Sequence, residues 1–295
     1  MYKLVDSMTR PYFSQEFNYN INGLVVRLPA GHRLPFYQAK FPKYDKFLPY
    51  IAKRLVPGDG VLDIGANCGD TLASLVSAGP ELRYYCVEPS DNYFKYLGWN
   101  IESIKKSFPL VSINCVKCLV GKSGGAYSLI EKNGTALAAK IYDKDALVGD
   151  DNAILTKTTL NDLVKSPDGK FKLRLLKTDT DGSDSDVIDS GLEIIKEAKP
   201  ILFFECAPEN DEAYLAYQST FEKLSNLGYN NFYIFDNYGE YISSVNESRS
   251  LVDFMRYCFK NPKPTIFYID VMACASKDVP LVEAAIGEFQ KEVKA

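Results

Sequence analysis

Val61-Leu62-Asp63-Ile64-Gly65-Ala66-Asn67-Cys68-Gly69-Asp70-Thr71 is the stretch on which the reading of this chain turns. The short β-branched run Gly60–Ile64 predicts a strand, and Leu72, Leu75 and Val76 then recur at helical spacing until Gly79-Pro80 stops them. Between strand and helix, Gly65 and Gly69 allow a tight turn and a close approach of backbone to a ligand. A dinucleotide fingerprint needs G-x-G-x-x-G. Counted from Gly65, Asn67 and Asp70 stand where the second and third glycines belong.

Those replacements change the chemistry of the loop. Asp63 closes the strand, and Asp70 sits where a pyrophosphate would rest on the helix amino terminus, so a diphosphate would be repelled. A ligand carrying positive charge, such as the ammonium and sulfonium of S-adenosylmethionine, suits the same place. The helix N–H groups and Thr71 can still meet that ligand's carboxylate. The next strand ends in Cys86-Val87-Glu88-Pro89-Ser90. Its closing acid, 25 positions after Asp63, is placed to accept hydrogen bonds from both hydroxyls of a ribose.

Outward from this unit, strands are predicted at Tyr84–Val87, Val111–Val120, Leu173–Thr178, Ile201–Glu205, Phe232–Phe235 and Thr265–Ala273. Ser90 can cap a helix with Phe94, Leu97, Ile101 and Ile104 on its apolar face. A longer helix with Tyr214, Tyr217, Phe221 and Leu224 on one side ends near Gly228. Such alternation predicts an α/β fold: a doubly wound, mostly parallel seven-strand sheet that binds ligands outside its strands' carboxyl ends. Residues 1–56 form an amino-terminal arm, 57–275 the main domain, with an inserted lid or hairpin at 121–160, and 276–295 a final helix.

Two further acidic strand ends fall at the same edge. Asp179 and Asp181 alternate after the fourth core strand and would share a face if the chain stayed extended. Alternatively, Asp181-Gly182 supplies a turn and Ser183 caps a helix. The run Pro200-Ile201-Leu202-Phe203-Phe204 closes in Glu205, which is either part of the site or paired with a cation. Asp179 and Glu205 could together hold a divalent metal, although no metal is assigned.

Composition limits the alternatives. The chain has 295 residues, 46% apolar and 24% charged, and a net charge of −4, which argues against a nucleic-acid partner. No apolar run approaches the roughly 20 residues of a membrane span, and no secretory leader is visible, so the expected location is cytoplasmic. Seven scattered cysteines do not form a disulfide framework, and Cys115-x-x-Cys118 lacks a second half for a zinc site. Residues 1–60 hold nine Lys/Arg against four Asp/Glu, a basic balance that either solvates an arm or attracts an anionic acceptor.

Together the pieces resemble the FkbM family of S-adenosylmethionine-dependent methyltransferases. The resemblance rests on Asp63–Thr71, Val87-Glu88-Pro89-Ser90, Thr159-Leu160-Asn161-Asp162-Leu163, Leu176-Lys177-Thr178-Asp179-Thr180-Asp181-Gly182 and Pro200–Glu205, in order over about residues 57–206. Asp181 and Asp184 stand where the family often has glutamate. His32–Gln38 and Pro42–Pro49 are similar to members associated with surface-polysaccharide synthesis. The resemblance implies a Rossmann-like class I fold and methyl transfer, commonly to oxygen on a sugar-like or polyketide-like acceptor.

The candidate cofactor residues are Asp63, Gly65, Ala66, Asn67, Gly69, Asp70, Thr71, Glu88, Pro89, Ser90, Cys118, Leu119 and Asp179. The lone histidine His32, with Asp179 and Glu205 as rivals, is the candidate base for a hydroxyl acceptor, and Arg33 and Tyr37 are candidate acceptor contacts. Two other functions fit a related sheet: a non-catalytic nucleoside-binding or scaffold protein, and an NAD-dependent oxidoreductase.

Overall fold

Why the central strands form is visible in their burial. Every residue of Asp59–Ile64 is buried, because helices cover both faces of the sheet there. Successive residues go to opposite sides. Val61, Leu175 and Ile201 enter one core, while Leu62, Leu176 and Leu202 enter the other. A fully buried side chain of this size is worth about 1.5–3 kcal/mol, so the continuous apolar runs fix the strands in place.

The computed structural model describes residues 14–122, 124–132, 134–141, 154–164, 171–261 and 265–292. The acidic turn Gly149-Asp150-Asp151 lies outside the described residues. In chain order the strands are β1 (Phe17–Ile21), β2 (Leu24–Leu28), β3 (Asp59–Ile64), β4 (Arg83–Val87), β5 (Ser112–Val116), β6 (Leu119–Val120) and β7 (Ala126–Lys132). There follow β8 (Thr135–Ile141), β9 (Lys157–Thr158), β10 (Lys172–Thr178), β11 (Ile201–Cys206), β12 (Tyr229–Asp236), β13 (Tyr241–Val245) and β14 (Ile269–Ala275).

Eight of these form one sheet in the order β13-β12-β14-β11-β10-β3-β4-β5. The pairs from β11 to β5 are parallel, and β14, β12 and β13 add antiparallel pairs. This is the mostly parallel, doubly wound sheet expected, with β13 as an eighth strand on one edge. One strand differs from its sequence reading. Val111–Val120 is broken at Lys117-Cys118: β5 stays in the main sheet, whereas β6 leaves it and pairs with β9.

Residues 14–56 share the core of the sheet. Strands β1 and β2 form a hairpin through Asn22 (φ 50°) and Gly23 (φ 90°), and Ile21, Val26, Leu28, Leu34, Phe47 and Ile51 pack into the same cluster as Val61. Short helices follow at Leu34–Lys40 and Leu48–Ala52. One side chain ties this segment to the glycine loop. Asn100, buried on the helix Asp91–Ser107, accepts from the Arg27 N–H (2.7 Å) and donates to the carbonyls of Arg27 and Cys68 (2.8 Å each). Removing one partner leaves buried groups unpaired at about 1–3 kcal/mol. Asn100→Ala is therefore expected to lower unfolding free energy by about 2 kcal/mol in urea titrations. A loss within a few tenths would mean that the three bonds add nothing.

Candidate active site

The carboxyl ends of β3, β4, β10 and β11 open on one cleft, and β14 begins there because it runs antiparallel beside β11. At the end of β3, the N–H groups of Gly65 and Ala66 both donate to the Val87 carbonyl (2.9 Å each), and Asp179 N–H donates to the Ile64 carbonyl (3.0 Å). Gly65 has φ 80°, and a Cβ there would stand 1.9 Å from the Asp179 carbonyl oxygen. The loop therefore passes the end of β10 at a distance only glycine permits. Gly69, also left-handed at φ 80°, starts the helix Asp70–Ala78.

Glu88 is 4% exposed. One carboxylate oxygen accepts from Asn67 N–H (2.9 Å) and the other from Ser90 N–H (2.8 Å). A carboxylate has about four acceptor sites, so these two bonds fix its orientation and leave capacity for two hydroxyls. Burial pushes its pKa up to about 7, against the pull of the two N–H groups. Glu88 lines a narrow cleft with Asn67, Pro89, Cys118, Leu119 and Asp179, which suits a nucleoside held by its ribose.

The hairpin β7–β8 roofs this cleft with Thr135, Ala136 and Ala138. Asn67 Nδ2 donates to the Gly134 carbonyl (2.8 Å), and Tyr93 Oη to that of Thr135 (3.4 Å). Ser90 Oγ is bonded to Glu131, and Thr135 Oγ1 to Asp181.

Four candidate cofactor residues do not line either cavity. Asp63, 2% exposed, is the counter-ion of Lys177, whose Nζ lies 3.1 Å from its Oδ1. Asp63 is thus paired with Lys177 inside the sheet. Ala66 is buried behind the loop, Gly69 packs toward Leu97, and Ser90 caps its helix by accepting from Tyr93 N–H (3.1 Å). Gly65, Asn67, Asp70, Thr71, Glu88, Pro89, Cys118, Leu119 and Asp179 do face the clefts.

A second cavity of about 510 Å³ continues from the loop, sharing Gly65, Asn67 and Asp179 with the first. His32, Arg33 and Tyr37 line it, as does Glu205. His32 is 7% exposed. Its Nδ1 accepts from Leu34 N–H (3.4 Å), and burial lowers its pKa although Asp70 and Asn67 oppose the shift. It lies against the hairpin tip, where a Cβ on Gly134 would be 3.4 Å from its Cα. Tyr37 stacks on Tyr44 with centroids 4.9 Å apart, and Phe41 on Tyr238 at 4.0 Å.

The basic balance of the arm does not gather wholly on this rim: Arg33, Lys40, Lys43 and Lys46 line the cavity, and other cations pair away from it. Arg27 pairs with Glu16, Lys43 with Glu240 (2.6 Å), and Lys53 and Arg54 both with Glu288. Nor does β10 extend to place Asp179 and Asp181 on one face. The strand stops at Thr178, and Asp181 (φ 50°) and Gly182 (φ 89°) turn the chain. Ser183 occupies the cap position without a capping bond. Asp184 accepts instead from Thr178 Oγ1 (2.6 Å) and Thr180 N–H (3.3 Å).

Lys177, Asp270 and Asp45 are among the side chains at the site that were missed in the sequence. Lys177 is a buried cation between Asp63 and Asp179, the latter at 3.5 Å. Its signal was a lysine inside the apolar strand end Leu175-Leu176-Lys177-Thr178. Asp270 faces the cavity from β14, and its signal was a lone acid in Ile269-Asp270-Val271-Met272. Among the described residues no group of three His, Cys, Asp or Glu could hold a metal ion, and no helix is long and apolar enough to cross a membrane.

The family model of the methyltransferase FkbM domain matches residues 63–230. No curated protein matches the chain. Among solved structures, the chain is similar to the methyltransferase FkbM from Methylobacillus flagellatus KT, with 11% identity and a TM-score of 0.39, covering 81% of this chain. It spans 58% of that protein's length. It is also similar to TYW2 of M. jannaschii in complex with AdoMet (10% identity, TM-score 0.42, 88% of this chain and 85% of that one). A third similar structure is the precorrin-6y C5,15-methyltransferase from Geobacter metallireducens GS-15 (11% identity, TM-score 0.38, 78% and 85%).

Proposed function

The chain belongs to the FkbM methyltransferase family, and from that premise we propose that it methylates a hydroxyl group of a sugar-like acceptor. It is an S-adenosylmethionine-dependent methyltransferase; what the family leaves open is the acceptor. The observation that carries the reading is the make-up of the 510 Å³ cavity beyond the glycine loop. Its wall sets carboxyl groups of Asp45, Glu205 and Asp270 beside the rings of Tyr44, Phe235 and Tyr268. Carboxylates accept hydrogen bonds from hydroxyls, and rings cover the apolar faces of a sugar.

Glu88 would hold the ribose hydroxyls, with Pro89, Cys118 and Leu119 along the nucleoside. Asn67, Asp70 and Thr71 would face the methionine part, at the amino terminus of the helix Asp70–Ala78. The hairpin β7–β8 covers the cleft beside Glu88 with Thr135, Ala136 and Ala138. When bound, S-adenosylmethionine supplies an electrophilic methyl carbon on a sulfonium that becomes neutral on transfer. The protein's part is to align the acceptor oxygen, keep water out and take the hydroxyl proton.

The test is turnover on a panel of neutral sugars, uronic acids, amines and thiols, with the product identified by mass spectrometry. We expect methylation at oxygen on neutral, hydroxyl-rich acceptors. Methylation confined to nitrogen or sulfur acceptors would overturn the reading. Binding of S-adenosylhomocysteine without transfer to any class would favour a scaffold that kept the fold.

A further inference from the structure

We infer that Glu205 and Asp270 form a carboxyl pair in which Glu205 takes the proton of the acceptor hydroxyl and Asp270 positions and tunes it. The inference rests on the hydroxyl-acceptor reading above, and its test separates the two.

The geometry comes from the sheet. β11 and β14 are antiparallel neighbours, and Glu205 and Asp270 are direct register partners on them. Directly opposite side chains have Cβ atoms about 4.5–5.5 Å apart, and like charges in that position repel. Both side chains line the 510 Å³ cavity that also holds the glycine loop. Neither has a hydrogen bond or ion pair to its carboxylate among the described residues. A sheet interior that places two acids face to face without a cation has no packing reason to do so. A shared proton removes the repulsion.

The groups around the pair strengthen this. Asp179 and Asp181, in the turn after β10, and Asp184, in the helix that follows, all raise Glu205 through their charge. Asp45, from the loop before the helix Leu48–Ala52, faces Asp270 with Asp179 and Asp184, and Lys177 alone opposes them. The phenols Tyr44 and Tyr268 lie beside them. Burial, then these acids, pushes both carboxyls well above the usual carboxylate range. Both carboxyls are thus held toward their protonated forms, and whichever ionises is a stronger base than an isolated carboxylate.

The rival bases are less well placed. Asp179 lies 3.5 Å from the Lys177 ammonium, which it shares with Asp63. Burial lowers the pKa of His32, and its Nδ1 is turned to the Leu34 N–H. In the step itself the acceptor oxygen bonds to the transferred methyl carbon, the sulfur–carbon bond breaks with its electron pair going to sulfur, and the hydroxyl proton passes to Glu205. The proton on Glu205 returns to water after product leaves.

The experiment uses the full chain with Glu205→Gln, Asp270→Asn and the double variant. S-adenosylhomocysteine binding should stay within about threefold of wild type, since neither side chain lines the cleft beside Glu88. Glu205→Gln should lower kcat roughly 10²–10⁴-fold. Asp270→Asn should move the acid limb of the kcat–pH profile down, because its loss removes one of the like charges that raise Glu205. A second readout needs no acceptor. A raised folded-state carboxyl pKa makes stability fall as pH rises from the ordinary carboxylate range to the raised value. Urea midpoints measured from pH 5 to 8 should therefore fall less steeply in either single variant than in wild type.

Equal slopes in all variants would overturn the shared proton. Gentler slopes with an unchanged kcat and acid limb would overturn the catalytic role. If wild type methylates only nitrogen or sulfur, the acceptor reading fails, while the urea series still decides whether the pair exists.

Discussion

Replacing Gly65 by alanine should abolish S-adenosylhomocysteine binding, a loss of at least 100-fold, while the sheet remains folded. The residue sits at φ 80°, where a side chain costs about 1–2 kcal/mol. A Cβ would also stand 1.9 Å from the Asp179 carbonyl oxygen, a backbone atom fixed by the hydrogen bond from Asp179 N–H to Ile64. Neither side can yield cheaply. The loop must move away from β10, which breaks the pair of N–H bonds to the Val87 carbonyl and carries Asn67 off Glu88. Overpacking of this kind adds about 1–3 kcal/mol. Calorimetric titration and urea unfolding on one preparation check both halves. A dissociation constant within threefold of wild type would show that the loop does not shape the cofactor site.

The loop and the sheet were legible in sequence because they are local. Val61–Ile64 and Ile201–Phe204 are buried on both faces, so their patterns carry the strand directly. Gly65, Asn67 and Glu88 lie within one strand–helix–strand unit and meet through it. What escaped depends on pairing between distant segments. Val111–Val120 looks like one strand because the exit of β6 toward β9 is decided by Lys157-Thr158, far along the chain. Asp63 reads as a strand-end acid, and its pairing with Lys177 depends on the register of β10 beside β3. Asp270 gains its meaning only from the antiparallel register of β14 against β11, which no spacing within one strand displays. The hairpin of β1 and β2 is a different case. Asn22-Gly23 between alternating apolar residues is a strong hairpin signal, and the reading of residues 1–56 as an arm passed over it.

The same hairpin explains how a segment before the first core strand reaches the active site. β2 packs on the helix Asp91–Ser107, and Asn100 on that helix bonds both to Arg27 of β2 and to Cys68 of the loop. His32 lies just before the short helix Leu34–Lys40 and Tyr37 within it, and so both are delivered to the cavity from a fixed base.

Glu88 governs the last and most graded effect. Hydrogen bonds to a charged acceptor are worth about 1.5–3 kcal/mol each, and the carboxylate has two acceptor positions left after Asn67 and Ser90 N–H are satisfied. Glu88→Ala should therefore weaken S-adenosylhomocysteine binding by about 2–4 kcal/mol, roughly 30- to 1000-fold. The raised pKa, about 7 against an ordinary 4.5, adds a pH dependence. The ionised form is the better acceptor, so wild-type affinity should fall about tenfold for each pH unit below 7, and binding at pH 6.5 should release protons. Stability of the free protein has the opposite slope. The folded carboxyl holds its proton more tightly than the unfolded chain does, so its contribution is lost as pH rises from 4.5 through 7. Glu88→Gln keeps the shape but cannot ionise, and it should bind weakly with no slope over this range. Titrations of both proteins from pH 5.5 to 8.5 check the sign. Affinity in wild type that is flat with pH, or that rises as pH falls, would remove the ionised Glu88 from cofactor recognition.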